Sequence, residues 1–137
     1  MTGHRAPTRR QFLALLAAFG IPYLPWRAIL GTNAAPGSAR AAAERLVGLL
    51  GAPASARAVG TAYLAEAPSE AEVTSLVEAI VAQLEGGAEA LRGDEGRLRG
   101  ALLRGIERDF AEEATLCLRG WIVSRTEARL CGLSVLV

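Results

Sequence analysis

The sequence contains no lysine, and its single histidine, His4, lies close to the N-terminus. Histidine is the most frequent general base and metal ligand in proteins, and lysine supplies the amine of Schiff-base enzymes. The residues after position 41 therefore lack all of these groups. Their serine and threonine hydroxyls have no histidine or lysine to activate them. These absences predict a protein that is not an enzyme and that has no metal site.

Cysteine and methionine are also scarce. The chain has two cysteines, Cys117 and Cys131, and one methionine, Met1. A single cysteine pair with this spacing matches no zinc, haem or iron–sulfur motif. In an oxidising compartment the pair could form a disulfide, and closing a loop of about 15 residues would stabilise the fold by about 3 kcal/mol. The alternative is that both cysteines are small apolar side chains of the core.

Acidic residues are absent from the first 40 positions, which hold five of the fifteen arginines. The balance is reversed in residues 42–137, which contain 10 arginines and 14 acidic residues, a net charge of −4. The net charge of +1 for the whole chain therefore conceals two segments of different character. A mildly acidic domain is not expected to bind nucleic acid, which requires clustered basic residues.

The basic segment contains Thr8-Arg9-Arg10-Gln11-Phe12-Leu13-Ala14, followed by an apolar run to Leu30. This stretch resembles the twin-arginine (Tat) export signal, whose pattern is Ser/Thr-Arg-Arg-x-Phe-Leu-Lys, and Ala14 is its one departure. The motif residues in this chain are Thr8, Arg9, Arg10, Phe12 and Leu13. The resemblance implies a bacterial protein that the Tat translocase exports to the periplasm. We predict that residues 1–41 are a signal peptide and linker.

The apolar run does not predict a transmembrane helix. Gly20, Pro22 and Pro25 interrupt it, whereas a spanning helix needs about 20 predominantly apolar residues. We therefore predict no stable transmembrane span in the mature form, residues 42–137, although a partner could attach it to the membrane. A domain of roughly 95 residues has a small core, so contact with a partner would add to its stability.

Helical periodicity dominates residues 42–137, and we predict an all-α fold, a small bundle of four to five helices. The clearest helix has apolar residues on one face, at Val73, Leu76, Val77, Ile80, Val81 and Leu84. The other predicted helices cover about 38–50, 53–66, 94–113 and 124–136, with Asp94 as the N-cap of the fourth. Gly60 weakens its helix by up to about 1 kcal/mol relative to Ala but allows close packing. Residues 88–93 are predicted to be a loop or a frayed turn.

Residues 115–124 differ in character from the rest of the domain. Thr115-Leu116-Cys117-Leu118 predicts a short extended segment, and Arg119-Gly120 predicts a turn. Ser124 and Glu127 have the spacing of a capping box that starts the last helix. Trp121, just before this cap, is predicted to be either a core anchor or a contact residue for a partner.

One arrangement of acids leaves catalysis open as an alternative. Asp109 with Glu112 or Glu113 could in principle perform acid–base chemistry. On a charged helix face such carboxylates usually remain solvated, so the sequence favours a non-catalytic role.

The segment Gly120-Trp121-Ile122-Val123-Ser124-Arg125-Thr126-Glu127-Ala128-Arg129-Leu130 resembles the C-terminal region of small Tat-signal subunits. These belong to periplasmic flavin-dependent sugar and alcohol dehydrogenases of the sorbitol or gluconate dehydrogenase type. The resemblance implies a subunit that binds no cofactor, assists folding of the flavin-bearing large subunit and carries it across the membrane. The large subunit of such a pair has no signal of its own. The candidate partner-binding residues are Trp121, Ile122, Arg125 and Arg129.

Two functions therefore follow from the sequence. The first is a non-catalytic accessory subunit that assists folding and Tat export of a periplasmic flavin-dependent dehydrogenase. The alternative is a stand-alone periplasmic helical protein with a binding or structural role.

Overall fold

A computed structural model describes residues 36–137 of the chain. The elements are, in chain order, α1 (Pro36–Val47), α2 (Pro53–Glu66), a 3-10 turn (Pro68–Glu70), α3 (Val73–Gln83), α4 (Gly87–Arg92), α5 (Glu95–Ala111), β1 (Thr115–Leu118), β2 (Trp121–Ser124) and α6 (Arg125–Leu136). The predicted export-signal residues Thr8, Arg9, Arg10, Phe12 and Leu13 lie outside the described range. The predicted boundary between residues 41 and 42 falls within α1.

The described residues are mostly helical, as predicted, but they are not strictly all-α. The extended segment predicted before the last helix is a two-stranded antiparallel sheet, in which Thr115 pairs with Ser124 and Leu118 with Trp121. Arg119 and Gly120 connect the strands with φ values of 52° and 83°. Two central residues with positive φ are the requirement of a type I′ turn, whose twist matches that of the strands it joins. The turn predicted at Arg119-Gly120 is confirmed, whereas the sequence did not predict that the flanking strands pair.

A further helix occupies the place of a predicted loop. Gly86 adopts a left-handed φ of 85° and redirects the chain after α3. The short helix α4 follows and buries Ala90 against the core. Six residues are too few to establish a helical period in the sequence, and α4 was therefore not predicted. The described range has six helices, whereas four to five were predicted.

Helix α6 is the central element of the described domain. It makes its most extensive contact with α2, and it also packs against α3, α5 and α1. Its Leu133 and Ala128 are fully buried. The fully buried side chains that surround α6 come from four other elements, namely Leu46, Leu76, Ile80, Leu98 and Leu118.

Two glycines bring α2 and α6 into backbone contact. A Cβ atom added to Gly60 would lie 2.1 Å from the carbonyl oxygen of Cys131. One added to Gly132 would lie 3.2 Å from a ring carbon of Tyr63. Arg57 Nε donates a hydrogen bond to the Ser134 carbonyl oxygen at 3.0 Å across the same interface. The expectation that Gly60 permits close helix packing is confirmed.

The helix caps predicted at Asp94 and at Ser124 are present. The Asp94 side chain accepts a hydrogen bond from the Arg97 amide at 2.8 Å. At the start of α6, Ser124 Oγ accepts from the Glu127 amide at 3.0 Å, and Glu127 Oε2 accepts from the Ser124 amide at 2.9 Å. This capping box provides partners for two backbone amides that would otherwise have none at the start of α6. None of the helices within residues 36–137 has the length and apolar character needed to cross a membrane.

Candidate partner-binding site

The tip of the β-hairpin exposes two large apolar side chains. Trp121 is 71 % exposed and Ile122 is 69 % exposed. Trp121 lies opposite Leu118 in the sheet, and paired residues of an antiparallel sheet project from the same face. Leu118 is fully buried, whereas Trp121 on the neighbouring strand is largely uncovered. Trp121 is therefore not a core anchor.

An open apolar groove of about 840 Å³ begins beside Trp121. We call it the α2–α5 groove, because Val59 of α2 and Leu102 and Leu103 of α5 line it. Leu130 and Cys131 of α6 also line it. Helices α2 and α5 both pack on α6 but have no extensive contact with each other. The groove thus lies over α6, between α2 and α5.

The four candidate partner-binding residues have different environments. Trp121 and Ile122 are exposed at the hairpin tip, and Arg125 is exposed in the first turn of α6. The Arg129 side chain is only 12 % exposed. Its guanidinium donates from Nε and Nη2 to the two carboxylate oxygens of Glu70, both at 2.9 Å. Arg129 is therefore already bound within the fold, and a partner cannot reach its charge without breaking this pair.

Glu70 is the centre of a three-residue cluster. The Tyr63 hydroxyl donates a hydrogen bond to the same carboxylate that Arg129 binds. The hydrogen bonds from Arg129, ahead of the one from Tyr63, hold the pKa of Glu70 below its usual value despite partial burial. Burial, together with the adjacent carboxylate, raises the pKa of Tyr63 to about 12. The cluster joins α2 and the 3-10 turn to α6 and is structural in character.

Asp109 differs from its predicted solvated state. Asp109 is only 4 % exposed, and its Oδ2 accepts a hydrogen bond from the Thr126 amide at 2.7 Å. That amide is in the first turn of α6, where helix geometry provides no partner. Glu112 and Glu113 remain exposed. Asp109 thus joins α5 to α6.

Cys117 and Cys131 are free thiols, so the disulfide considered in the sequence is not formed in this structure. Cys117 lies in β1 next to the buried Leu118, and neighbouring strand residues project to opposite faces. Its side chain is consequently exposed. Cys131 is half-buried on α6, where α2 approaches its backbone. Burial, followed by the charge of Glu127, raises the pKa of Cys131 to about 11.

The two thiols are expected to react at different rates with iodoacetamide. At pH 8 Cys131 is almost entirely protonated and partly covered, whereas Cys117 is open to solvent. We expect Cys117 to be alkylated at least about tenfold faster. Mass spectrometry of peptides at timed intervals measures both rates, and Cys117→Ser provides the control by removing only the fast phase. Equal rates would contradict the placement of Cys131.

The apolar surface at this site is larger than the sequence indicated. On α5, Leu103 is 54 % exposed and Phe110 is 46 % exposed. The groove escaped prediction because its residues are far apart in sequence and are brought together only by α6.

The site thus combines the hairpin tip, the α2–α5 groove and the outer residues of α5. Within residues 36–137 no cluster of three or more histidine, cysteine, aspartate or glutamate side chains could hold a metal ion. Comparisons of this chain with protein-family models, with curated proteins and with solved structures returned no match.

Proposed function

We propose that this protein is a non-catalytic accessory subunit, which assists the folding and Tat export of a periplasmic flavin-dependent sugar or alcohol dehydrogenase. The observation that carries the proposal is the exposed apolar hairpin tip, Trp121 and Ile122, beside the open groove. Large apolar side chains that are exposed beside an apolar groove are typical of interaction sites. Tryptophan is among the residues most enriched at the energetic centres of interfaces.

The export signal gives this surface its functional setting. The Tat pathway transports folded proteins, and a flavin enzyme acquires its cofactor in the cytoplasm before export. A small domain without histidine or lysine gains little from folded export on its own account. It gains a role if its twin arginines, Arg9 and Arg10, also transport a bound large subunit. Trp121, Ile122 and Arg125 would then provide the contact, while Arg129 stabilises the helix that carries them.

Co-expression with a candidate flavin-dependent large subunit that lacks an export signal of its own tests the proposal. Replacing Arg9 and Arg10 by lysine should abolish periplasmic activity of the large subunit, because both chains would share one signal. The double change Trp121→Ala and Ile122→Ala should leave export of the small protein intact. It should lower the co-purified large subunit by at least about tenfold, since interface anchors of this type contribute 2 kcal/mol or more.

Arg92→Ala provides the matched surface control, because Arg92 is exposed on α4 and away from the hairpin. Its co-purification and export should equal those of the unchanged protein. A large subunit that reaches the periplasm with full activity in the absence of this chain would refute the proposal.

The alternative is a stand-alone periplasmic helical protein with a binding or structural role. The fully buried Leu46, Leu76 and Leu133 favour it, because this core is closed without a partner. It predicts a monodisperse exported protein whose solution mass stays that of one chain when the candidate large subunit is added. Size-exclusion chromatography with light scattering distinguishes the two functions.

A further inference from the structure

The shape of the α2–α5 groove indicates the class of occupant. Two side chains that line it, Leu103 and Trp121, are each more than half exposed. Phe110 of α5 and Ile122 of β2 are further exposed apolar side chains. Small-molecule sites usually enclose most of their ligand, whereas this surface is open and extended. Such a surface is typical of grooves that receive the apolar face of an amphipathic helix.

The charges of the groove indicate what that helix would carry. Arg99, Arg119 and Glu127 line it. The Glu127 carboxylate is already bound to the Ser124 amide in the capping box. Arg119 makes no hydrogen bond or ion pair within residues 36–137, and Arg99 pairs only with Glu95, one turn away, in an exposed contact. The charge available to an occupant is therefore positive.

We propose that the α2–α5 groove holds an amphipathic helix of the partner subunit, with acidic residues beside its apolar face. The apolar face packs over Leu102, Leu103 and Leu130, and the acidic residues meet Arg99 and Arg119. Trp121 covers one side of the bound helix. This inference rests on the proposed function for the identity of the partner, and it adds the structural class and the charge of the segment that the partner supplies.

Two synthetic helical peptides of about 18 residues test the chemistry of the groove directly. Both have the same leucine face, which is flanked by glutamate in one peptide and by lysine in the other. The full chain carrying Trp26→Phe retains Trp121 as its single tryptophan, and covering this exposed indole shifts its emission to shorter wavelength. We expect the glutamate peptide to bind at least about tenfold more tightly than the lysine peptide.

Three variants identify the contacts. The double change Arg99→Glu and Arg119→Glu should reverse the preference between the two peptides. Leu103→Asp should abolish binding of both peptides. Because Leu103 is exposed, the far-ultraviolet circular dichroism of this variant should equal that of the unchanged protein. Arg40→Glu, on the exposed surface of α1 outside the groove, provides the matched charge control and should leave both affinities unchanged.

Several results would overturn the inference. Equal affinity for the two peptides would refute the charge selection, and absence of binding by both would refute docking of a helix. Tighter binding of dodecanoate than of the glutamate peptide would assign the groove to acyl chains instead. If neither peptide binds while the large subunit is still co-exported, this inference alone is overturned. Peptide selectivity without co-export would instead refute the proposed function.

Discussion

Gly60→Ala is expected to destabilise the protein by about 3 kcal/mol or more. The added methyl group would lie 2.1 Å from the Cys131 carbonyl oxygen and 2.5 Å from its carbonyl carbon. Both are backbone atoms, so no side-chain rotation can relieve the overlap, and α2 must move away from α6. Thermal denaturation of the full chain should show the unfolding midpoint lowered by about 10–20 °C, given the entropy of unfolding of a domain of this size.

Gly100→Ala makes the same chemical change in a different environment. Gly100 lies inside α5, and the nearest atom to an added Cβ is the end of the flexible Arg104 side chain at 3.3 Å. Alanine has the higher helix propensity, so this variant should be stabilised by about 0.5–1 kcal/mol. Two variants with equal stability would show that α2 and α6 are not in backbone contact.

Arg129→Ala is expected to destabilise the protein by about 2–3 kcal/mol. The change removes both hydrogen bonds of the guanidinium and leaves the Glu70 carboxylate partly buried without its cation. Arg129→Lys should recover only part of the loss, because an ammonium cannot form the same two-pronged contact. Arg125→Ala, on the exposed surface of the same helix, should change the free energy of unfolding by less than about 0.5 kcal/mol. Chemical denaturation of each variant measures these values.

Arg129→Ala should also alter the dependence of stability on pH. The folded-state pKa of Glu70 is lowered, chiefly by the hydrogen bonds from Arg129. A carboxyl group of this kind stabilises the fold fully above its ordinary pKa of 4.5, and the stabilisation is lost as the pH falls through the lowered value. Arg129→Ala should therefore flatten the loss of stability below pH 4.5. An unchanged acid profile would contradict the assigned role of Arg129.

The parts of the fold that follow from local signals were predictable. The periodic apolar residues of α3, the Asp94 cap and the Ser124–Glu127 capping box each depend on residues within a few positions of one another. The six residues of α4 give no comparable signal, and the pairing of β1 with β2 depends on the backbone geometry of Arg119 and Gly120. Strand pairing is a tertiary property that a four-residue segment does not specify.

The candidate site was predictable only in part, for the same reason. Trp121 could be singled out as an isolated large side chain, but its exposure depends on how the hairpin packs on the rest of the domain, which is a tertiary property. Asp109 and Arg129 occur among charged helix residues in the sequence, and both are covered by distant elements. The partner of Arg129 lies 59 residues away in the chain. No local pattern distinguishes a solvated charge from one that a remote carboxylate will neutralise.

The central position of α6 also has a consequence for the order of events during synthesis. Its main contacts, such as the bond between Arg57 and Ser134, join residues 77 positions apart. Native contacts of such long range form slowly, since the intervening chain must first close a large loop. On the ribosome α3 can pack only against α1 at first, and α2 lacks its main partner until α6 has been translated. Arg9 and Arg10 are therefore made early, whereas the native core is completed last. Under the proposed Tat export, which requires folded cargo, a nascent chain that has not yet produced α6 would be rejected.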